Sequence, residues 1–294
     1  MTSRRSARRP AFLQLAAAQA SEAYRRTALS GFLRTRRAGL SPDPSWLIVD
    51  SITARRVPGM RREELAWAAD ISVDYYTKLE QGRATRPSPT VVASLAEALQ
   101  LDALNRRYLG ALASPEPAVS SKDDSDLVRA AEATLRRLGG QIRDPIMLHL
   151  LTHDLIIRRL DPDSARVLFP EGRAPADRGP DVSLLEYIFA EPISRHVYVD
   201  WSAKAREVVG LAHLSLATSE PTARLLATLD RLWELSSAFR YLWSRFEPHD
   251  KGTGTWRLTL PGVGVTECDF STFRTPSCTD VSLVVYGRTE GAQH

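Results

Sequence analysis

Apolar residues recur along residues 60–83 at the spacing that keeps side chains on one face of a helix. The pattern predicts two short helices, at about 61–69 and 73–81. Ser72 is a typical N-cap, because its hydroxyl can accept a hydrogen bond from the first free amides of the second helix. Gly82 follows where a helix end favours a left-handed residue. The stretch is therefore predicted to be two helices joined by a tight turn.

The second predicted helix has one apolar face and one polar face. Val73, Tyr76 and Leu79 are expected to point into the first helix. The outward face carries groups that can bond base edges in a DNA major groove, as the second helix of a helix-turn-helix does. Two amphipathic helices around a turn also occur in many helical proteins, so the periodicity alone leaves that alternative open. The candidates for base contacts are Ser72, Asp74, Tyr75 and Lys78, with Thr77 and Gln81 as weaker ones.

Three further helices are predicted around this pair, at 29–40, 89–101 and 102–112. Ser88 and Pro89 suit the cap and the first turn of the second of these. Five short helices predict a compact all-helical domain.

The pattern changes after residue 113. Residues 114–126 are rich in proline, serine and acidic residues, which predicts a linker. Strand patterns, then helices, then strands follow, and they predict one mixed sheet closed by its two ends with helices on one face. The predicted elements are a helix at 126–138, strands at 146–151 and 155–157, helices at 161–169, 184–190, 201–217, 221–235 and 237–246, and strands at 255–260, 265–273 and 281–286.

Composition fits two domains, since the chain has 294 residues of which 43% are hydrophobic. The predicted divisions are a basic, flexible leader at 1–27, the helical domain at 28–113, the linker at 114–126, a second domain at 127–288 and a tail at 289–294.

Charge adds a weak signal for nucleic acid, because the net charge is +4 and the pI is about 9.2. Arginines are concentrated near the start of the chain, and four flank the predicted helix pair. Arg61, Arg62, Arg83 and Arg86 are expected to hold phosphates, which fixes the position on DNA without reading its sequence. Glu80 is expected to pair with an arginine inside the domain, because a carboxylate facing phosphate is unfavourable.

The two cysteines, Cys268 and Cys278, lack metal-binding spacing, so reduced thiols in a cytoplasmic protein are expected. No apolar run approaches the roughly 18 residues of a membrane span, so no membrane association is expected. The apolar stretch at 11–20 lacks a convincing cleavage region and is not interpreted as a signal peptide.

Catalytic and metal-binding signatures are weak. His149 and His153 are four residues apart, but the pattern places them in a strand and its turn, and no third ligand is evident beyond Asp154. The chain lacks a G-x-S-x-G elbow, a phosphate loop and G-x-G-x-x-G. We expect no enzymatic activity, no cofactor and no metal.

Several motifs in the first half match those of a known family. They are P-G-M-R-R-E-E-L-A at 58–66, S-V-D-Y-Y-T-K-L-E-Q-G at 72–82 and R-P-S-P at 86–89. This run resembles the XRE-type helix-turn-helix of bacterial regulators, in the subfamily that carries an MmyB-like ligand-binding domain. The resemblance implies a lambda-repressor-like helical domain that binds double-stranded DNA.

The second half carries matching motifs too, at Leu184, Leu185, Phe189 and Pro192, at Tyr198, Asp200 and Trp201, at Ser236, Phe239, Arg240, Leu242 and Trp243, at Pro261 and Gly264, and at 283–286. These resemble the MmyB-like domain, a PAS-like α/β sensor fold. The resemblance implies a cavity between sheet and helices for a small, largely apolar ligand, fatty-acid-like in some members. The candidate lining residues are Leu148, Ile156, Phe189, Trp201, Phe239 and Trp243, although core packing also explains the aromatic ones.

The chain departs from the family at four positions. The usual D-V-x-x-W-N strand lacks its Trp and Asn here, Ser183 stands for a common Asn, and Leu260 stands for a common His. Either the ligand differs or the domain only dimerises. The sequence therefore predicts a homodimeric, DNA-binding transcription regulator. The alternative is a protein-interaction module with a repurposed helix-turn-helix and no ligand.

Overall fold

A computed structural model of the chain describes residues 9–41, 59–84, 86–114, 122–143, 145–158, 162–170, 181–276 and 278–289. We call the described residues up to 114 the N-terminal half and those from 122 the C-terminal half. The N-terminal half contains a short 3₁₀ helix, Ala11–Gln14, followed by α1 (Ala17–Gly39), α2 (Arg62–Ala68), α3 (Val73–Glu80), α4 (Pro89–Ala98) and α5 (Ala103–Ala113). The predicted five-helix arrangement is confirmed.

The turn between α2 and α3 forms as its residues predict. Ser72 Oγ accepts a hydrogen bond from the Tyr75 amide at 3.1 Å, and Gly82 has φ +69° after α3 ends. Tyr76 and Leu79 are buried, whereas Val73 is 41% exposed. The expected inward position of Val73 is wrong. A step of three residues falls about 60° short of a full helical turn, so Val73 rotates away from the face that Tyr76 and Leu79 bury.

The predicted flexible leader is corrected for the residues that the structure describes, since 9–27 pack onto the rest of the chain. Phe12 of the 3₁₀ helix and Tyr24 of α1 are buried, with ring centroids 5.3 Å apart. Arg9 Nε donates to Asp230 Oδ1 at 2.7 Å. Residues 1–8 lie outside the described part of the chain.

The C-terminal half is a mixed α/β domain. Its helices are α6 (Lys122–Gly139), α7 (Pro162–Leu168), α8 (Leu184–Ala190), α9 (Ser194–Val197), α10 (Trp201–Thr218), α11 (Ala223–Leu235) and α12 (Ser237–Trp243). Its strands are β1 (Met147–Thr152), β2 (Ile156–Arg158), β3 (Val182–Ser183), β4 (Thr253–Leu260), β5 (Gly264–Thr275) and β6 (Cys278–Arg288). The predicted linker at 114–126 is too long at its end, because residues 122–126 belong to α6. Residues 115–121 lie outside the described ranges.

The six strands form one sheet in the order β3-β2-β1-β6-β5-β4. The first and last strands of the domain pair, as in His149 opposite Val284, so closure by the two ends is confirmed. Each pairing within this sheet is antiparallel, which corrects the expected mixed sheet. The tight hairpins that join β1 to β2 and β4 to β5 to β6 account for three of these five antiparallel pairings.

Alternation along the strands gives the sheet two buried faces. Leu151 joins the large core beneath helices α8 and α10 to α12, whereas Leu148 and Leu150 pack with Ala131 and Leu135 of α6. Helix α6 therefore covers the opposite face, and the prediction of helices on one face only is wrong. Both faces of β1 are apolar because both are covered.

The two halves share one core, in which α1 and α5 pack against α10. Tyr24 Oη lies 2.8 Å from Tyr108 Oη and 2.7 Å from His213 Nδ1, and all three side chains are buried. Burial lowers the pKa of His213 to about 4, so its ring is neutral. Nε2 must donate to the Trp243 carbonyl at 3.1 Å, which leaves Nδ1 to accept from Tyr24 and Tyr24 to accept from Tyr108.

Candidate nucleic-acid interface and ligand cavity

Helix α3 presents an exposed stripe of three polar side chains. Asp74, Lys78 and Gln81 are all exposed, and their spacing of four and then three residues places them on one face. Lys78 Nζ lies 2.7 Å from Asp74 Oδ2, with the two side chains 51% and 75% exposed. This stripe lies opposite the buried side chains of Tyr76 and Leu79. It can therefore meet a base edge without unfolding the domain.

The other three candidates for base contacts flank the stripe. Ser72 is exposed, but its hydroxyl already caps α3. Tyr75 and Thr77 are half-buried, and Tyr75 packs against the core. The structure thus brings all six candidates to one end or side of α3 and separates them into a fully exposed stripe and a partly covered border.

Glu80 is the last residue of α3 and is 3% exposed. Its carboxylate accepts from Arg37 Nε at 2.9 Å and Arg37 Nη2 at 2.7 Å, and also from Arg62 Nε. The prediction that Glu80 pairs with an arginine is confirmed. Ser30 Oγ of α1 also donates to the Glu80 carbonyl at 2.5 Å. Helix α1 therefore anchors the end of α3.

The four predicted phosphate-binding arginines differ in their surroundings. Arg61, Arg83 and Arg86 are exposed at the margins of the helix pair. The guanidinium of Arg62 is held by Glu80, although 45% of its side chain is exposed. The Arg62 guanidinium is therefore already paired with a carboxylate of the domain, which leaves it less available to a phosphate.

Four of the six predicted ligand-pocket residues lie in or against the large core. Phe189 lies 5.9 Å from Trp201 and 5.3 Å from Phe239 between ring centroids, and Phe239 lies 5.3 Å from Trp243. These rings pack on one another in the helix layer, and Ile156 is buried in β2. Leu148, in contrast, lies on the α6 side of the sheet, where it lines an open pocket of about 720 Å³. The structure does not bring the six together.

A cavity of about 290 Å³ lies where the two halves meet. Its walls come from α5, α10, β1 with the β1–β2 turn, the segment before β4, β5 and β6, and we call it the junction cavity. None of the six predicted pocket residues is among its described lining residues. Sequence reasoning missed it because its wall combines Arg107 with residues more than forty positions later in the chain.

Beside the junction cavity lies a cluster of buried charges. Lys204 Nζ lies 3.0 Å from Glu207 Oε1 and 5.0 Å from the centroid of the Trp256 ring. Burial, reinforced by the nearby Lys204, lowers the pKa of Lys251 to about 7. Burial also lowers the pKa of His149, with a further contribution from Lys251. The C-terminal half therefore contains an unusually polar interior next to an accessible space.

An ionic link joins the halves at the cavity rim. Arg107 Nη2 of α5 donates to Asp250 Oδ2 at 2.5 Å, and Arg274 Nη2 of β5 donates to Asp250 Oδ1 at 2.9 Å. Burial alone would raise the pKa of Asp250, but the bonds from the two arginines outweigh it and lower the pKa.

The described residues contain no group of three or more side chains that could hold a metal ion. Cys268 and Cys278 are buried free thiols. None of the described helices combines the length and the apolar character needed to cross a bilayer.

Two family models match the chain. Residues 28–109 match a helix-turn-helix domain, and residues 162–293 match the MmyB-like transcription regulator ligand binding domain. The chain combines these two domains. It is a transcription regulator of this kind and not a member of an enzyme family. The helix-turn-helix match covers α2 to α5 but begins inside α1, and the MmyB-like match begins at α7. A comparison with curated proteins finds no match.

Proposed function

We propose that the helix-turn-helix domain of this regulator binds specific DNA sequences by placing α3 in the major groove. The stripe of Asp74, Lys78 and Gln81 carries this proposal, since it is exposed and combines donors with acceptors. Lys78 is suited to guanine, Gln81 to adenine and Asp74 to the amino group of cytosine. Ser72, Tyr75 and Thr77 border the stripe and supply secondary contacts.

Phosphate binding would position this helix. Arg61, Arg83 and Arg86 are exposed around the helix pair and can each neutralise a phosphate. Arg62 would contribute less, because Glu80 already compensates its charge. We infer a homodimer on DNA, with half-sites about 34 Å apart so that both α3 helices reach one face of the duplex.

The C-terminal domain would bind a small, largely apolar ligand, dimerise, or both. The aromatic cluster around Phe189 and Phe239 and the junction cavity are the places that the fold offers for a ligand. Mass spectrometry of small molecules that co-purify with the full chain tests the ligand proposal.

DNA binding is tested on an operator selected from a random duplex pool, with affinity measured by fluorescence anisotropy at several salt concentrations. Lys78→Ala should relax base preference at one position, by about 1–3 kcal/mol. Arg83→Ala should weaken binding to all sequences and reduce the salt slope by about 1. Arg231→Ala is the matched control, since it removes an exposed arginine of α11 in the other half.

The two variants must behave differently from each other and from the control. Equal losses for Lys78→Ala and Arg231→Ala would contradict the assignment of α3 as the reading helix. If the full chain selects no sequence from the pool and a protein co-purifies in stoichiometric amount, the interaction-module alternative is favoured.

A further inference from the structure

The junction cavity has an apolar wall and a charged rim. Leu211 and Leu214 of α10 contribute apolar surface, whereas Arg107, Lys251 and Arg274 bring three cationic side chains to one space. Arg107 belongs to the helix-turn-helix domain and the other two to the MmyB-like domain. The site is therefore complete only when both halves are present.

Charge around the cavity is unbalanced. The cationic groups on or directly behind its described walls are Arg107, Lys204, Lys251 and Arg274, and the carboxylates are Glu207, Asp250 and Asp280. Asp250 bonds to both arginines, and Glu207 pairs with Lys204. Lys251 forms no ion pair among the described residues, although it is only 5% exposed. An anion is the group that this arrangement lacks.

Buried polar atoms without partners lie on the face of the sheet that carries Leu151 of the cavity wall. Both ring nitrogens of His149 and Oγ1 of Thr272 have no hydrogen-bond partner within the described chain. His149 lies two residues before Leu151 of the cavity wall, and the Thr272 amide donates to the Gly252 carbonyl, next to Lys251. Buried polar groups without partners are rare in proteins. Neither His149 nor Thr272 is among the described lining residues of the junction cavity, so they make the wall behind it polar and are not assigned a ligand contact.

We propose that the junction cavity binds a compact organic carboxylate, whose charged group bonds to Lys251, Arg107 and Arg274 and whose apolar part lies against Leu211 and Leu214. This inference rests on the proposed ligand-binding function and specifies its site and the class of ligand. An engineered cavity of about 150 Å³ holds benzene, so about 290 Å³ accommodates roughly twelve non-hydrogen atoms. A compact carboxylate would fill this volume, whereas a long-chain fatty acid would extend beyond it.

Arg107 connects the cavity to the N-terminal half, because it lines the cavity and belongs to α5. The guanidinium that would hold the ligand carboxylate also bonds to Asp250 and so links α5 to the C-terminal half. A bound carboxylate competes with Asp250 for Arg107 and changes the strength of that link. Ligand and operator DNA then affect each other's affinity by the same factor, as linkage requires.

Isothermal titration calorimetry of the full chain with octanoate tests the site, with 1-octanol as the uncharged probe and hexadecanoate as the overlong one. Octanoate should bind, and the other two should bind at least about tenfold more weakly. Lys251→Met and Arg107→Met should each weaken octanoate binding by about tenfold or more. Arg257→Met is the matched control, because it breaks a similarly exposed arginine–aspartate pair, with Asp200, outside the cavity.

Selected operator DNA should shift the octanoate affinity of the wild-type chain, and Arg107→Met should abolish that shift. Equal binding of octanoate and 1-octanol, preference for hexadecanoate, or unchanged affinity in Lys251→Met would each overturn the proposal. A chain that selects an operator but does not bind octanoate retains the proposed function and refutes only this inference. A chain that selects no operator refutes the proposed DNA binding by itself.

Discussion

Replacement of Glu80 by glutamine removes a buried carboxylate that holds α3 to α1 through Arg37 and to α2 through Arg62. The glutamine keeps the shape but turns an N–H₂ donor toward Arg37, whose side chain is only 16% exposed. Breaking a buried pair on one side costs about 3–5 kcal/mol, because the remaining charge is uncompensated. Arg62 contributes less to this cost, since it is 45% exposed and can turn to water. We expect the melting temperature to fall by roughly 10 °C.

Thermal unfolding followed by circular dichroism measures this effect. Asp74→Asn is the matched control on the same helix, where the carboxylate is 75% exposed and pairs with Lys78. Its expected cost is about 0.2–1 kcal/mol, or a shift of no more than a few degrees. Similar shifts for Glu80→Gln and Asp74→Asn would refute the reasoning, since Arg37 and Glu80 would then be solvated in the folded chain.

Three further effects follow from the packing between and within the halves. Tyr24→Phe should destabilise by about 1–3 kcal/mol in urea unfolding, because it leaves His213 Nδ1 without a donor, whereas Tyr108→Phe should cost less. Gly210→Ala should lower the melting temperature, since its Cβ would lie 2.7 Å from backbone atoms after α12, and overpacking costs about 1–3 kcal/mol. The pKa of Lys251 falls from 10.5 to about 7 on folding, so stability should rise between these pH values by an amount on the order of 5 kcal/mol. Lys251→Met should flatten that rise in unfolding measured across this pH range, and a parallel profile in the variant would contradict the assignment.

Local pattern was enough to locate most helices and strands. The strand predicted at 281–286 is present and is longer in the structure, where β6 spans Cys278–Arg288. Helix α3 begins at Val73, directly after the Ser72 cap, as predicted. These features depend on neighbours within a few residues, and a sequence displays such neighbours directly. The exposed stripe on α3 follows from the same periodicity, whereas the packing of Tyr75 against the core depends on contacts that the local sequence does not display.

Side-chain contacts between the two halves were not predictable from the sequence. The start of α1 contains few large apolar side chains, and its helix is stabilised by Tyr24, whose partner His213 is 189 residues away. Arg107 and Asp250 are separated by 143 residues, so no local pattern indicates the junction cavity. The predicted ligand residues are all aliphatic or aromatic, and such side chains more often pack with each other than around a ligand.

Helix α1 is 23 residues long, or about 34 Å, and it belongs to both halves at once. Tyr24 in its first part bonds to His213, whereas Ser30 and Arg37 further along bond to Glu80 at the end of α3. A truncated protein that starts at residue 28 would lack the first part of α1 and would expose the surface that Tyr24 covers. The two halves are consequently not separable modules, and α3 cannot tilt without moving a helix that is also packed into the C-terminal half.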